Sequence, residues 1–267
     1  MAEIIPKLVS PFFLMKSKIQ ILRAMLVVLL ATGIAGCVCF HRHDSRSAAK
    51  IKVLLITGGH DFEKEPFYKV FQENPEISFT PAAHKGTNAD AFERDDLLSY
   101  DVIVLYDIRR SITDEQKAKF LSLFDKGIGL VVLHHALVSY QHWPEYERII
   151  GGHYPEEDGK YGAVTPQVGW EHDHEVPIVI VAKDHPITAG VKDFTIHDEI
   201  YWGFTVQSDV TTLITTTLPK SGKPLAWCRT QGKSRVVYLQ LGHDHSAYDN
   251  PNYRKLLANG IHWAANR

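Results

Sequence analysis

From residue 51 onward, short apolar runs alternate with longer amphipathic stretches. IKVLLIT (51–57), ISFTPA (77–82), DVIVLYD (101–107) and GLVVLHH (129–135) are rich in β-branched residues with little polar interruption. Continuous hydrophobicity of that length predicts strands covered on both faces, as in a parallel sheet. Between two of these runs, Thr113-Asp114-Glu115-Gln116 has capping-box spacing; Phe120, Leu121 and Phe124 follow on one predicted helix face, and Gly127 supplies the stop. A last helix is predicted from Pro251, with Tyr253, Leu256, Leu257, Gly260, Ile261 and Ala264 on one stripe. VPIVIVA (176–182), TTLITTT (211–217), PLAWCRT (224–230) and SRVVYLQL (234–241) follow with no full helix between them. The pattern predicts a doubly wound α/β sheet with a β-rich, partly antiparallel C-terminal extension. No repeat or Pro-rich linker divides residues 51–267, so one domain is expected there.

The first 50 residues read differently. Residues 24–36 (AMLVVLLATGIAG) are an uncharged apolar run of 13. A membrane-spanning helix needs about 20 such residues, whereas this length suits the core of a signal peptide behind Lys16, Lys18 and Arg23. The end of the run, Ile34-Ala35-Gly36-Cys37, resembles a bacterial lipobox, in which the cysteine is lipidated and becomes the first residue. Met15 opens a more typical signal than Met1 does. The expected organisation is a lipoprotein signal peptide over 1–36, a lipidated polar tether over 37–50 and a domain over 51–267. This places the protein at the bacterial cell envelope, membrane-anchored through Cys37 and facing the periplasm or the outside.

Composition narrows the chemistry. Lys+Arg 29 against Asp+Glu 31 gives a formal charge of −2, which excludes broad electrostatic attraction to nucleic acid. Cysteines at 37, 39 and 228 form no disulfide framework and no Cys-x-x-Cys pair, and Cys228, in an apolar stretch, is expected to be buried and inert. The chain lacks a Gly-x-Ser-x-Gly elbow, a Walker loop and a Gly-x-Gly-x-x-Gly turn, so no nucleotide cofactor is expected. Its 15 histidines point instead to acid–base or metal chemistry.

A flavodoxin-like sheet binds ligands beyond the carboxyl ends of its strands, and there the polar residues gather. The predicted strands run into Gly58-Gly59-His60, Tyr106-Asp107, His134-His135 and Gly242-His243-Asp244-His245. The His-Asp-His triplets at 172–174 and 243–245 could each place two imidazoles on one side of an extended segment. His134, His172, His243 and His245, with Glu199, are the candidate ligands for a divalent metal: zinc, manganese or iron. Asp198 and Glu199 lie in an otherwise apolar and aromatic stretch, where desolvation would raise a carboxyl pKa and suit general acid or base work. Trp143, Trp170, Tyr201 and Trp202 are candidates for stacking on a sugar.

These residues resemble the ThuA-like (trehalose utilisation) family. The resemblance is carried by Gly58-Gly59-His60, Leu133-His134-His135-Ala136, Gly151-Gly152, His185-Pro186-Ile187-Thr188 and Asp198-Glu199-Ile200-Tyr201. It continues through Pro224-Leu225-Ala226-Trp227 and Ser234-Arg235-Val236-Val237 to Leu241-Gly242-His243-Asp244. It implies a fold like the class I glutamine amidotransferases. In those enzymes a cysteine occupies the sharp turn after the central strand; here His134-His135 stands there, so glutaminase chemistry is not expected. The family is associated with disaccharide catabolism through keto-sugars made by a partner sugar dehydrogenase. The expected function is therefore an extracytoplasmic, lipid-anchored enzyme acting on a glycoside or keto-sugar by acid–base chemistry, with or without a metal. Glu199, His134 and His243 would be catalytic, while Gly59, His60, Asp107, His135 and Tyr201 would bind the small carbohydrate substrate. The alternatives are a non-catalytic carbohydrate-binding lipoprotein and a structural metal site in a protein with another partner.

Overall fold

The computed structural model describes residues 49–108, 111–157, 160 and 162–267. The expected signal peptide, lipidated Cys37 and tether up to residue 48 lie outside the described residues. In chain order the strands are β1 (Ile51–Gly58), β2 (Ile77–Ala83), β3 (Val102–Asp107), β4 (Gly129–Leu133), β5 (Gly152–His153) and β6 (Gly169–Ile180). They continue with β7 (Phe194–Trp202), β8 (Thr205–Val206), β9 (Thr211–Thr216), β10 (Ala226–Gln231) and β11 (Ser234–Leu239). The helices are α1 (Lys64–Gln72), α2 (Asp114–Lys126), α3 (Pro144–Ile150), α4 (His245–Tyr248) and α5 (Pro251–Ala264), and a 3-10 turn covers His134–Val138. No described helix is long and apolar enough to cross a membrane.

Nine strands form one sheet in the order β2-β1-β3-β4-β11-β10-β9-β6-β7, and β5 pairs with β8 apart from it. From β2 to β11 every pair is parallel, giving the 2-1-3-4-5 order of a flavodoxin-like sheet with β11 in fifth place. Beyond β11 the sheet continues with antiparallel pairs through β10, β9 and β6 to β7. The extension thus enters the chain between the fourth and fifth core strands. SRVVYLQL, expected within the extension, is instead the fifth core strand β11, parallel to β4, and α5 closes the core after it as expected.

Alternate residues of the parallel strands reach opposite layers, which explains their unbroken hydrophobicity. Val53, Leu55 and Val104 face Phe67 of α1 and Leu257 of α5, whereas Leu54, Ile56 and Leu105 face Phe120 of α2 and Ile149 of α3. Phe120 is wholly buried, and truncating it to Ala is expected to cost about 3–5 kcal/mol. Thr113 caps α2 as its spacing predicts, accepting from Gln116 N at 3.3 Å, and Gly127 ends the helix at φ 77°. Leu121, expected beside Phe120, is 38% exposed, because one residue further along a helix is a step of about 100° around its axis. β6 starts at Gly169 rather than 176, since its first half (GWEHDHE) is polar and partly solvated. β7 was not expected as a strand, because its buried centre carries Asp198 and Glu199.

Candidate functional site

The site begins where β4 stops. His134 takes φ +50°, a left-handed conformation that β-carbons oppose, and begins the 3-10 turn at the point where the parallel strand would have continued. His134 lies fully buried in this turn. Its Nδ1 is 2.6 Å from the Gln240 carbonyl, which can only accept, so Nδ1 carries a proton and donates it there. That Nε2 lies 2.9 Å from the Tyr201 hydroxyl and 2.9 Å from Glu199 Oε2.

Glu199 comes from β7 and His243 from the loop after β11. His243 Nδ1 is 3.5 Å from Glu199 Oε2, and His172 Nδ1, from β6, is 3.4 Å from Glu199 Oε1. Three imidazoles therefore surround one carboxylate. Burial resists charge on Glu199, but the hydrogen bonds of His134 and His243 outweigh it and hold the carboxyl well below the usual range. The acid was expected to have a raised pKa; the structure assigns that behaviour to its neighbour Asp198, pushed up by burial. Burial lowers the His243 imidazole, yet the hydrogen bond and charge of Glu199 bring it above its ordinary value.

Asp198 fixes this geometry. Its carboxylate accepts from Gly242 N (2.8 Å), His243 N (3.0 Å) and Glu199 N (2.9 Å). The Tyr106 and Tyr248 hydroxyls donate to the carbonyls of Gly242 and His243 at 3.0 and 2.9 Å. Gly242 sits at φ +118°, and a β-carbon there would fall 2.7 Å from the Tyr253 hydroxyl, so only glycine lets the chain turn His243 into place.

The pocket above these groups has a cavity volume of about 220 Å³ and is lined by His60, Ile108, His135, Val138, Tyr154, Glu156, Trp170, His172, Glu199, Tyr201 and His243. His135 donates from Nδ1 to the Asp107 carbonyl at 3.1 Å, while its buried Nε2 has no hydrogen-bond partner among the described residues. Burial, then the neighbouring His134 and His60, push its pKa well down, so His135 is neutral and offers an acceptor. The His60 ring meets His135 edge-on at 4.3 Å.

Of the residues expected to act, Glu199, His134, His243, His172, His60, His135 and Tyr201 are brought together. Three others lie apart. Asp107 is wholly buried behind the wall, where its Oδ2 accepts from Tyr140 (2.8 Å) and Ser139 (3.1 Å). Gly59 serves packing: a β-carbon there would fall 2.1 Å from the Ile108 carbonyl oxygen. His245 starts α4 and pairs on the surface with Glu63 at 3.0 Å. Among the candidate stacking rings, Trp170 lines the pocket, Trp143 is in the core and Trp202 packs beneath Lys220. Asp198, expected with Glu199 as a candidate acid or base, instead holds the turn that carries His243, and Glu156 was not among the expected site residues. Cys228 is buried and its thiol is pushed up to about 11 by burial, which leaves it unreactive as a thiolate nucleophile.

The solved structure of a putative ThuA-like protein from Parabacteroides merdae is similar over 81% of this chain and 90% of that one, with 24% identity and a TM-score of 0.68. PurLQS from Thermotoga maritima aligns with 80% of this chain and 99% of its own at 12% identity and a TM-score of 0.50. A cold-adapted beta-galactosidase from Rahnella sp. R3 is matched over 31% of its length and 78% of this chain, at 12% identity and a TM-score of 0.53. These likenesses concern the fold, an α/β arrangement with a mixed sheet. No curated protein matches the chain in sequence. The family model described as "Trehalose utilisation" matches residues 41–264, which ties the protein to a carbohydrate function. With that match over most of its length, the chain belongs to the ThuA family.

Proposed function

We propose that this protein is a carbohydrate-processing enzyme that acts on a glycoside or keto-sugar by acid–base chemistry, with Glu199 as the base. The observation that carries this reading is the Glu199 carboxylate, held ionised among His134, His243 and His172 at the base of a pocket walled by Trp170. A keto group acidifies the C–H bond beside it. Glu199 would take that proton while the electron pair moves onto the carbonyl oxygen, and an N–H of His243 would stabilise the charge formed there. Reprotonation at the neighbouring carbon gives isomerisation; departure of a β-oxygen substituent gives C–O cleavage. A sugar dehydrogenase would supply the keto-sugar.

Glu199→Gln tests the assignment. Turnover of a keto-disaccharide is expected to fall about 10²–10⁴-fold while sugar binding and the melting temperature hold. Unchanged turnover overturns the assignment, and wild-type binding without turnover establishes the carbohydrate-binding alternative. The envelope location rests on the Ile34-Ala35-Gly36-Cys37 sequence. It predicts that Cys37→Ser moves the protein from the membrane fraction to the soluble one.

A further inference from the structure

His134 commits its Nδ1 proton to the Gln240 carbonyl and turns its Nε2 toward a Glu199 carboxylate oxygen 2.9 Å away. The Tyr201 hydroxyl lies 2.9 Å from the same Nε2. His243 brings a further nitrogen to the same oxygen at 3.5 Å, and the three donor atoms lie within 4.8 Å of one another. Two imidazoles and one carboxylate converging in this way form a ligand set for a cation. A tetrahedral ion with bonds of about 2.0–2.2 Å sets its ligand atoms about 3.4 Å apart. The separations of 2.9 and 3.5 Å bracket that spacing.

We propose that His134, Glu199 and His243 bind one divalent transition ion of the zinc class, with His172 holding the other oxygen of the ligating carboxylate at the pocket mouth. Two independent features support it. The Gln240 carbonyl fixes the His134 tautomer, as an outer partner does for a metal-bound imidazole. The second feature is a β-bulge: Glu171 pairs with Ile200 and His174 with Asp198, so His172 and Asp173 together oppose Glu199. The bulge holds Asp173 at φ +65°, a conformation L-residues avoid, and brings His172 to 3.4 Å from Glu199 Oε1. Imidazoles with a single carboxylate suit zinc, iron or manganese, whereas magnesium and calcium prefer all-oxygen shells.

The full chain, stripped with chelator and reloaded with Zn²⁺, Mn²⁺ or Mg²⁺, tests the proposal through metal content after desalting. Co²⁺ loading adds a d–d absorption spectrum that needs no activity. About one equivalent of zinc and no magnesium is expected. His134 is fully buried and its removal endangers the fold, so the partly exposed His243 decides. His243→Ala is expected to weaken zinc binding at least about 100-fold and His172→Ala about 10-fold, with His245→Ala unchanged. Absence of zinc from the reloaded wild type overturns the proposal and leaves a shared proton between His134 and Glu199. Retention of a full equivalent by His243→Ala with undiminished affinity also overturns it. Keto-sugar turnover by metal-free protein removes the metal from the reaction and keeps Glu199 as base; zinc binding with no sugar turnover keeps the metal site and removes the enzyme reading.

Discussion

The two His-Asp-His triplets have the same sequence and each sends only its first histidine into the pocket, for different reasons. In the triplet at 172–174, His172 faces Glu199 while His174 sits across from Asp198, beside Glu171. Residues two apart on a regular strand share a face. The extra residue of the bulge breaks that period and puts the two imidazoles on opposite faces. In the triplet at 243–245 the backbone changes type. Asp244 caps α4, its side chain accepting from Ser246 N at 2.8 Å, and His245 enters the first turn facing Glu63. Spacing alone gives an upper limit on how many ligands a triplet delivers; backbone conformation at the central aspartate sets the number.

Substitution of the outer and inner histidines should separate most sharply in the second triplet. His243→Ala is expected to lower keto-sugar turnover by about 100-fold or more, within the range for loss of a positioned acid–base group. His245→Ala should stay within about twofold, its pair with Glu63 being solvent-exposed and of small value. Equal losses from both, measured as kcat/KM, would show that His245 reaches the substrate and would break the contrast.

How far the site was legible follows the same division. The parallel strands could be read because burial on both faces leaves an uninterrupted apolar run, as in VIVLYD of β3, where every residue is buried. The strand ends then placed His60, His134, His135 and His243 at one edge. β7 could not be read that way, since two of its buried residues are acids whose partners are remote in sequence. Asp198 is satisfied by Gly242 and His243, 44 and 45 residues away. No local pattern announces such a contact. Asp107 misled for the opposite reason: it ends a strand as a binding residue would, but its hydrogen-bond partners Ser139 and Tyr140 hold it within the wall. The exclusion of His245 left a readable trace, an aspartate two residues before a helical nitrogen.

The second triplet can also be disturbed without touching a histidine. Asp198→Asn keeps one acceptor oxygen for the His243 and Glu199 amides but sets an amide NH₂ against Gly242 N–H. One buried donor left without an acceptor costs about 1–3 kcal/mol, so a loss of about 2 kcal/mol is expected by chemical denaturation. Because the turn carrying His243 is then loosened, turnover should fall further than stability alone explains. Full turnover with the expected destabilisation would show that the tyrosine hydroxyls hold the turn unaided.

The first triplet offers smaller effects in the same order. His172→Ala should lower turnover about 10-fold, about 1.4 kcal/mol in activation free energy, and His174→Ala by less than about twofold. The side chain of His172 is 41% exposed, so neither loss should carry a large stability cost.

The smallest effect concerns the aspartate between them. At φ +65°, Asp173 pays a conformational cost that glycine would not, though aspartate tolerates this region better than most residues. Asp173→Gly should therefore keep the bulge and raise stability by about 0.5 kcal/mol, the gain reduced by glycine's greater freedom in the unfolded chain. It also removes a long, exposed contact of 3.4 Å to His197, which is worth little. Turnover should be unchanged, since the backbone that aims His172 is unaltered. Asp173→Val asks the opposite of the same site: a β-branched residue at positive φ costs about 1–2 kcal/mol or relaxes the bulge. If the bulge relaxes, Asp173→Val should reproduce the roughly 10-fold loss of His172→Ala, although the histidine itself is intact. A valine variant with full turnover and normal stability would show that His172 reaches Glu199 without the bulge, and the contrast between the triplets would then rest on the cap at Asp244 alone.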